Sequence, residues 1–171
     1  MAGNRTLPAD LQLVGFDVDG VFTDGRFYLS DEGVESKAFN TQDGFGIRKV
    51  LDAGIKVAVI SGRQSVAVEK RMAELNVSYV IQGCKDKVAA FDKLIDELGI
   101  VVGQTAFVGD DIPDLPLLRH SGFGIAVANA VSAVKTECDL VTTAPGGAGA
   151  VREVCDFILF ATGADRGTGR Q

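Results

Sequence analysis

Short apolar runs alternate with stretches of helical spacing along this chain, and that alternation leaves few folds open to it. Residues 11–16, 55–60, 105–108, 123–127 and 140–142 are brief, dominated by Val, Ile, Leu, Phe and Ala, and bounded by polar or glycine-rich segments. Runs of this length and composition suit strands buried on both faces. A further run at 79–81 adds a candidate strand. Between the runs lie 44–53, 64–75, 85–98, 115–120, 131–137 and 149–160, which read as helices. In the third of these, Val88, Phe91, Leu94, Ile95 and Leu98 share one helical face. Gly54 and Gly99 stand where helix C-caps belong. Strands separated by helices are joined by right-handed crossovers, which place helices on both faces of a parallel sheet. The expected fold is therefore α/β, a doubly wound parallel sheet.

One stretch interrupts the alternation. Residues 26–29 and 34–39 have strand composition and flank Ser30-Asp31-Glu32-Gly33, a good turn sequence. They read as a β-hairpin, spanning about residues 22–40, inserted directly after the first strand. A two-stranded ribbon is marginal by itself, and packing against copies of itself would cover its edges, so oligomerisation is expected. With 171 residues the chain fits one domain. That domain is expected to span 11–162, after an N-terminal extension at 1–10 and before a mobile, Gly-rich tail at 163–171, with no second domain.

Charge narrows the partners. With 17 basic and 23 acidic residues the net charge is -6, which argues against nucleic acid or an anionic membrane surface. No apolar segment approaches the roughly 20 residues a membrane helix needs. Cys84, Cys138 and Cys155 are odd in number and lack metal-ligand spacing, which reads as buried free thiols in a reducing cytoplasm.

In an open parallel sheet, ligands bind beyond the carboxyl ends of the strands. The first run is followed by Asp17-Val18-Asp19-Gly20, the second by Ser61-Gly62-Arg63, and the run at 105–108 by Gly109-Asp110-Asp111, with Asp114 close behind. Lys87 stands near the start of the helix expected at 85–98. Carboxylates gathered in one crevice repel each other unless a cation joins them, and a few all-oxygen ligands suit Mg²⁺. Asp17 would then be a carboxylate nucleophile forming an acyl-phosphate, with Asp19 as acid and then base. Ser61, Gly62 and Lys87 would hold the phosphoryl oxygens. A signalling module that accepts phosphate on Asp17 without hydrolysing it is the reading from another class, and Asp19 speaks against it.

These segments resemble the ordered motifs of haloacid dehalogenase superfamily phosphatases over roughly residues 11–161. Within that superfamily the closer resemblance is to the 3-deoxy-D-manno-octulosonate 8-phosphate (KDO 8-phosphate) phosphatases, whose reaction serves lipopolysaccharide precursor synthesis. It rests on the runs at 19–25, 39–44 and 109–114 and on Gly146-Gly147-Ala148-Gly149-Ala150-Val151-Arg152-Glu153. The resemblance implies Asp17 as nucleophile and Asp19 as acid/base, with Mg²⁺ held by Asp17, the Asp19 carbonyl and Asp110, and supported by Asp111 or Asp114. It implies contacts from Arg63 and Thr23 to a phosphorylated sugar acid, no separate cap domain, and a homotetramer whose hairpins pack together beside the site. Nine-carbon sialic-acid-type 9-phosphate phosphatases share much of the pattern and are the alternative. Relatives often carry His where this chain has Ala148.

Overall fold

Every apolar run becomes a strand of one sheet in the computed structural model, which describes residues 5–164. In chain order the elements are β1 (Leu13–Phe16), β2 (Tyr28–Leu29), β3 (Glu35–Ser36), α1 (Thr41–Asp52), β4 (Lys56–Ile60), α2 (Val66–Glu74) and β5 (Tyr79–Ile81). Then follow α3 (Lys87–Leu98), β6 (Thr105–Gly109), α4 (Leu115–His120), β7 (Phe123–Ala126), α5 (Ser132–Lys135), β8 (Leu140–Val141) and α6 (Ala150–Ala161). The six-stranded sheet runs β5-β4-β1-β6-β7-β8, and every pairing in it is parallel. This is the expected doubly wound architecture.

The register sets the strand ends level. Phe16 of β1 pairs with Val59 of β4 and with Val108 of β6. The polar residues that follow these three strands therefore emerge side by side. All four residues of β1 are buried, as befits a central strand covered on both faces. Phe91 of α3 meets Phe107 of β6 edge to face at 6.5 Å, one of the contacts that seat the helices on the sheet.

Boundaries differ from the sequence reading where caps act. Helix α1 starts at Thr41 rather than 44, because the Asn40 side chain accepts a hydrogen bond from the Gln42 N–H at 2.8 Å. Helix α3 starts at Lys87 rather than 85, because Asp86 caps it by accepting from the Ala89 N–H. The inserted hairpin is present but short, with two residues paired on each side and its β2 strand fully exposed. Of the N-terminal segment, Arg5 is anchored on the body by an ion pair with Asp139 at 2.7 Å. Most of the expected tail lies outside the described residues. Cys138 and Cys155 are buried free thiols as expected, whereas Cys84 is only half-buried.

Helix α6 lacks a capping side chain of its own, since Gly149 occupies its N-cap. A residue from another helix serves instead: the carboxylate of Asp43, buried in α1, accepts from the Arg152 N–H at 2.8 Å. Loss of a capping side chain typically costs about 1–2 kcal/mol. Asp43→Ala is accordingly expected to lower the urea midpoint with an unchanged slope, and an unaltered midpoint would show that α6 does not depend on this cap.

Candidate active site

The chain leaves β1 toward β4 and β5 on one side and returns to β6 on the other, so the crevice between β1 and β6 is the topological switch point. A cavity of about 330 Å³ opens there, lined among others by Asp17, Asp19, Ser61, Gly62, Arg63, Lys87, Asp110, Asp111 and Asp114. Of the site residues named from sequence, Thr23 alone is absent from that lining.

Backbone geometry explains how β1 delivers its two acids. The Asp17 N–H continues the ladder to the Val108 carbonyl, and the chain then winds tightly, with the Val18 carbonyl accepting from the N–H groups of Val21, Phe22 and Thr23. Gly20 lies within this turn at φ 88°, and a Cβ there would sit 2.0 Å from Asp110 Oδ2. Only glycine allows the turn and the Asp110 carboxylate to approach so closely. Thr23 closes the same turn: its buried hydroxyl accepts from the N–H groups of Gly20 at 3.3 Å and Gly25 at 3.1 Å. The structure thus places Thr23 in the scaffold beneath the loop rather than on the cavity wall.

At the centre, Lys87 Nζ donates to Asp17 Oδ1 and to Asp114 Oδ1, each at 2.7 Å. The second oxygen of Asp114 accepts from the N–H groups of Asp110 at 2.9 Å and Asp111 at 3.3 Å. Asp114 is therefore the buried residue that orients the Asp110 segment. Asp111 is exposed and caps the short 3₁₀ turn Ile112–Asp114 through the Ile112 N–H. One carboxylate oxygen each from Asp17, Asp110 and Asp114 lie within 4.8 Å of one another.

That crowding is short of positive charge. Burial, reinforced by Asp114 and opposed by Lys87, pushes the Asp17 carboxyl up to about 6. Burial, then the charges of Asp114, Asp17 and Asp111, push Asp110 up to about 7. Burial alone would lower Lys87, but Asp17 and Asp114 hold it above its ordinary value as an ammonium. A site with one lysine, three converging carboxylates and only oxygen donors fits a hard divalent cation. Both oxygens of Asp114 are already engaged, which leaves Asp17 and Asp110 as the candidates to hold it.

Ser61 is buried at the end of β4, its Oγ accepting from the Arg63 N–H at 3.3 Å. The loop after β5 fixes this segment, with Ile81 accepting from the Ser61 N–H and Ser61 accepting from the Cys84 N–H. Asp19 turns away from the carboxylate cluster: its Oδ1 is bonded to Lys37 of the hairpin, and its Oδ2 lies 3.7 Å from Arg63 Nε. Arg63 donates to Glu35 at 2.6 Å and lies over the Phe27 ring at 4.2 Å. Lys37, Glu35 and Phe27 were not anticipated. The only hint lay in a hairpin with a charged pair, which sequence alone does not aim at the site.

Two further residues were missed. Asn129 donates to the Gly20 carbonyl at 3.0 Å and accepts from the Gly146 N–H at 2.6 Å, tying the nucleophile turn to the loop before α6. Glu153 accepts from the N–H groups of Thr143 and Ala144, each at 2.8 Å, and holds that same loop. The Gly146-to-Glu153 segment is thus a brace for the turn that carries Asp17 and Asp19.

The raised carboxyls have a consequence for stability. Asp17 and Asp110 bind protons more tightly folded than unfolded, so the stability they contribute is full below about pH 4 and is lost as pH rises through about 6 to 7. Without divalent cation, Asp110→Asn is expected to melt above the wild-type protein at about pH 7.5 and not at about pH 4. Added Mg²⁺ should raise the wild-type midpoint and leave that variant nearly unmoved. A Mg²⁺ response retained in full by the variant would remove Asp110 from the cation site.

Comparison with known proteins agrees with this geometry. A family model described as haloacid dehalogenase-like hydrolase matches residues 80–153. The 3-deoxy-D-manno-octulosonate 8-phosphate phosphatase KdsC of Escherichia coli K12 is 44% identical over 154 residues, covering 90% of this chain and 82% of that protein. The crystal structure of a 3-deoxy-D-manno-octulosonate 8-phosphate phosphatase from Moraxella catarrhalis, in complex with magnesium ion, phosphate ion and KDO, is 42% identical with a TM-score of 0.90, covering 95% of each chain. A probable YrbI family phosphatase from Pseudomonas syringae superimposes with a TM-score of 0.90 at 47% identity, covering 91% of this chain and 89% of that one. By fold, site and sequence, the chain belongs to the 3-deoxy-D-manno-octulosonate 8-phosphate phosphatase family of the haloacid dehalogenase-like hydrolases.

Proposed function

We propose that the chain is a Mg²⁺-dependent phosphomonoesterase that hydrolyses KDO 8-phosphate to KDO and inorganic phosphate through a phospho-aspartate on Asp17. The observation that carries this reading is the placement of Asp17, bridged to Asp114 by Lys87 and facing Asp110, at the switch point of the sheet. Bound by Asp17, Asp110 and the Asp19 carbonyl, Mg²⁺ would neutralise the phosphate and make phosphorus more electrophilic.

The residues divide the remaining work. Lys87 keeps Asp17 Oδ1 occupied, which leaves Oδ2 as the attacking oxygen. Ser61 Oγ, the Gly62 N–H and the Lys87 ammonium hold the phosphoryl oxygens. As Asp17 attacks phosphorus, the bond from phosphorus to the sugar oxygen breaks, and that oxygen takes a proton from Asp19. Asp19, now a carboxylate, removes a proton from water. The water oxygen attacks the same phosphorus, and the bond to Asp17 breaks to restore its carboxylate. Arg63 at the cavity mouth takes the carboxylate of the sugar acid, a planar group that a guanidinium grips well.

Residues 11–162 would act as one catalytic domain. Tyr28, Leu29 and Val34 are 72%, 64% and 63% exposed on the hairpin, an apolar surface left open among the described residues. A homotetramer with hairpins packed together would bury it beside the site. Among the described residues no helix is long and apolar enough to cross a membrane. A small, charged sugar acid as substrate supports action in the cytoplasm.

Phosphate release from a panel of phosphorylated sugar acids and plain sugar phosphates, with Mg²⁺ and with chelator, tests the reading. The expected result is metal-dependent turnover strongly favouring KDO 8-phosphate. Asp17→Asn should lose about a thousandfold or more in kcat while still unfolding in one cooperative transition, which shows that the fold is intact. Preference for a nine-carbon acid would move the substrate and keep the chemistry; no turnover by folded, metal-loaded protein would sink the proposal.

A further inference from the structure

Beside the phosphate-sized end of the cavity, the hairpin and two strand ends build a cluster of two cations and two carboxylates. The Lys37 side chain has no solvent exposure, bonds to Asp19 Oδ1 and lies 3.5 Å from Glu35 Oε1. Arg63 donates to Glu35 Oε2 at 2.6 Å and lies 3.7 Å from Asp19 Oδ2. Both cations also face the Phe27 ring, Lys37 at 5.7 Å and Arg63 at 4.2 Å. The four charges balance. Glu35 Oε1 faces Lys37 only at ion-pair distance and has no hydrogen-bond partner among the described residues.

A sugar acid entering this mouth brings a third carboxylate to two cations. Three carboxylates there would leave one partly buried charge without a cation, which is unfavourable. One must therefore leave. Asp19 stands at the end of a central strand, in a turn held by three N–H groups on one carbonyl. Glu35 lies on a ribbon with two paired residues on each side, a unit that is marginal by itself. We propose that Glu35 is an internal stand-in for the carboxylate of the substrate, holding Arg63 and Lys37 in the ligand-free enzyme and yielding them when a sugar acid binds. The assignment rests on the sugar-acid phosphatase reading above and adds to it a residue that sets carboxylate affinity. Glu35 is a competitor of the substrate, and touches none of the reacting atoms.

Glu35→Gln removes the competing charge and keeps the side-chain shape, so the hairpin stays intact. For KDO 8-phosphate the variant is expected to show a KM about threefold to tenfold lower at unchanged kcat, the range set by a half-exposed ion pair. For p-nitrophenyl phosphate, which has no carboxylate, KM should stay within about twofold. An equal gain on both esters, or a higher KM for the sugar acid, would overturn the proposal. Titration of Mg²⁺-loaded protein with KDO and with its methyl ester, by calorimetry, decides the point without turnover: Glu35→Gln should tighten KDO and not the ester, whereas unchanged or weaker KDO binding defeats the stand-in role. Absence of phosphate release by the wild-type protein from either ester would defeat the phosphatase reading instead, and the calorimetric result would still stand for Glu35.

Discussion

Three converging carboxylates served by one buried ammonium are the interaction on which the rest of this structure depends. Lys87 bridges Asp17 and Asp114, and Asp110 draws within 4.8 Å of both at the carboxyl ends of β1 and β6. Such a cluster is unfavourable without a further cation, as the upward pressure on Asp17 and Asp110 records. It persists because a rigid parallel sheet with level strand ends leaves the side chains nowhere else to go. The same shortage of positive charge makes the crevice a site for a hard divalent ion and, through that ion, for a phosphate. Local instability and function here have one origin.

Holding the acids to within a fraction of an ångström takes a second layer of structure. The turn after Asp17 is closed from within by Thr23 and from outside by Asn129, which reaches both Gly20 and Gly146. The loop at Gly146 is so close that a Cβ would sit 1.8 Å from the Gly20 carbonyl oxygen. That loop is held in turn by Glu153 of α6, and α6 is capped by Asp43 of α1. A line of hydrogen bonds thus runs from a helix that never meets the phosphate to the turn bearing the nucleophile. Supporting contacts of this kind are what keep a reactive constellation in productive geometry.

The hairpin plays the opposite part. It is thin and largely exposed; Phe22 and Phe39 pack its base on the core, and charges join its strands to the site. Its Lys37 and Glu35 meet Asp19 and Arg63, so a ribbon that is marginal by itself touches the acid/base residue and the residue assigned to the sugar carboxylate. Elements that must yield to a ligand are drawn from the low-stability end of a structure. The exposed Tyr28, Leu29 and Val34 on the same ribbon offer the apolar face for assembly.

Much of this was legible in the chain itself. Local pattern determined the order of strands and helices, the parallel sheet, the insertion after β1, and the placement of Asp17, Asp19, Ser61 and Asp110 at strand ends. Each of these follows from neighbours in sequence: apolar runs of strand length, helical spacing, and the rule that strand ends face the ligand. Tertiary structure alone decided the rest. Lys87 is 70 residues from Asp17 and 27 from Asp114, and only the crossovers bring the three together. A substrate contact for Thr23 came only from the family resemblance, and the tight turn folds this residue inward. Asn129, Glu153, Asp43, Lys37 and Glu35 are ordinary polar residues in sequence. Their roles come from backbone N–H groups and charges contributed by distant segments, and hydrogen bonds between distant segments leave no period or spacing for a linear reading to detect.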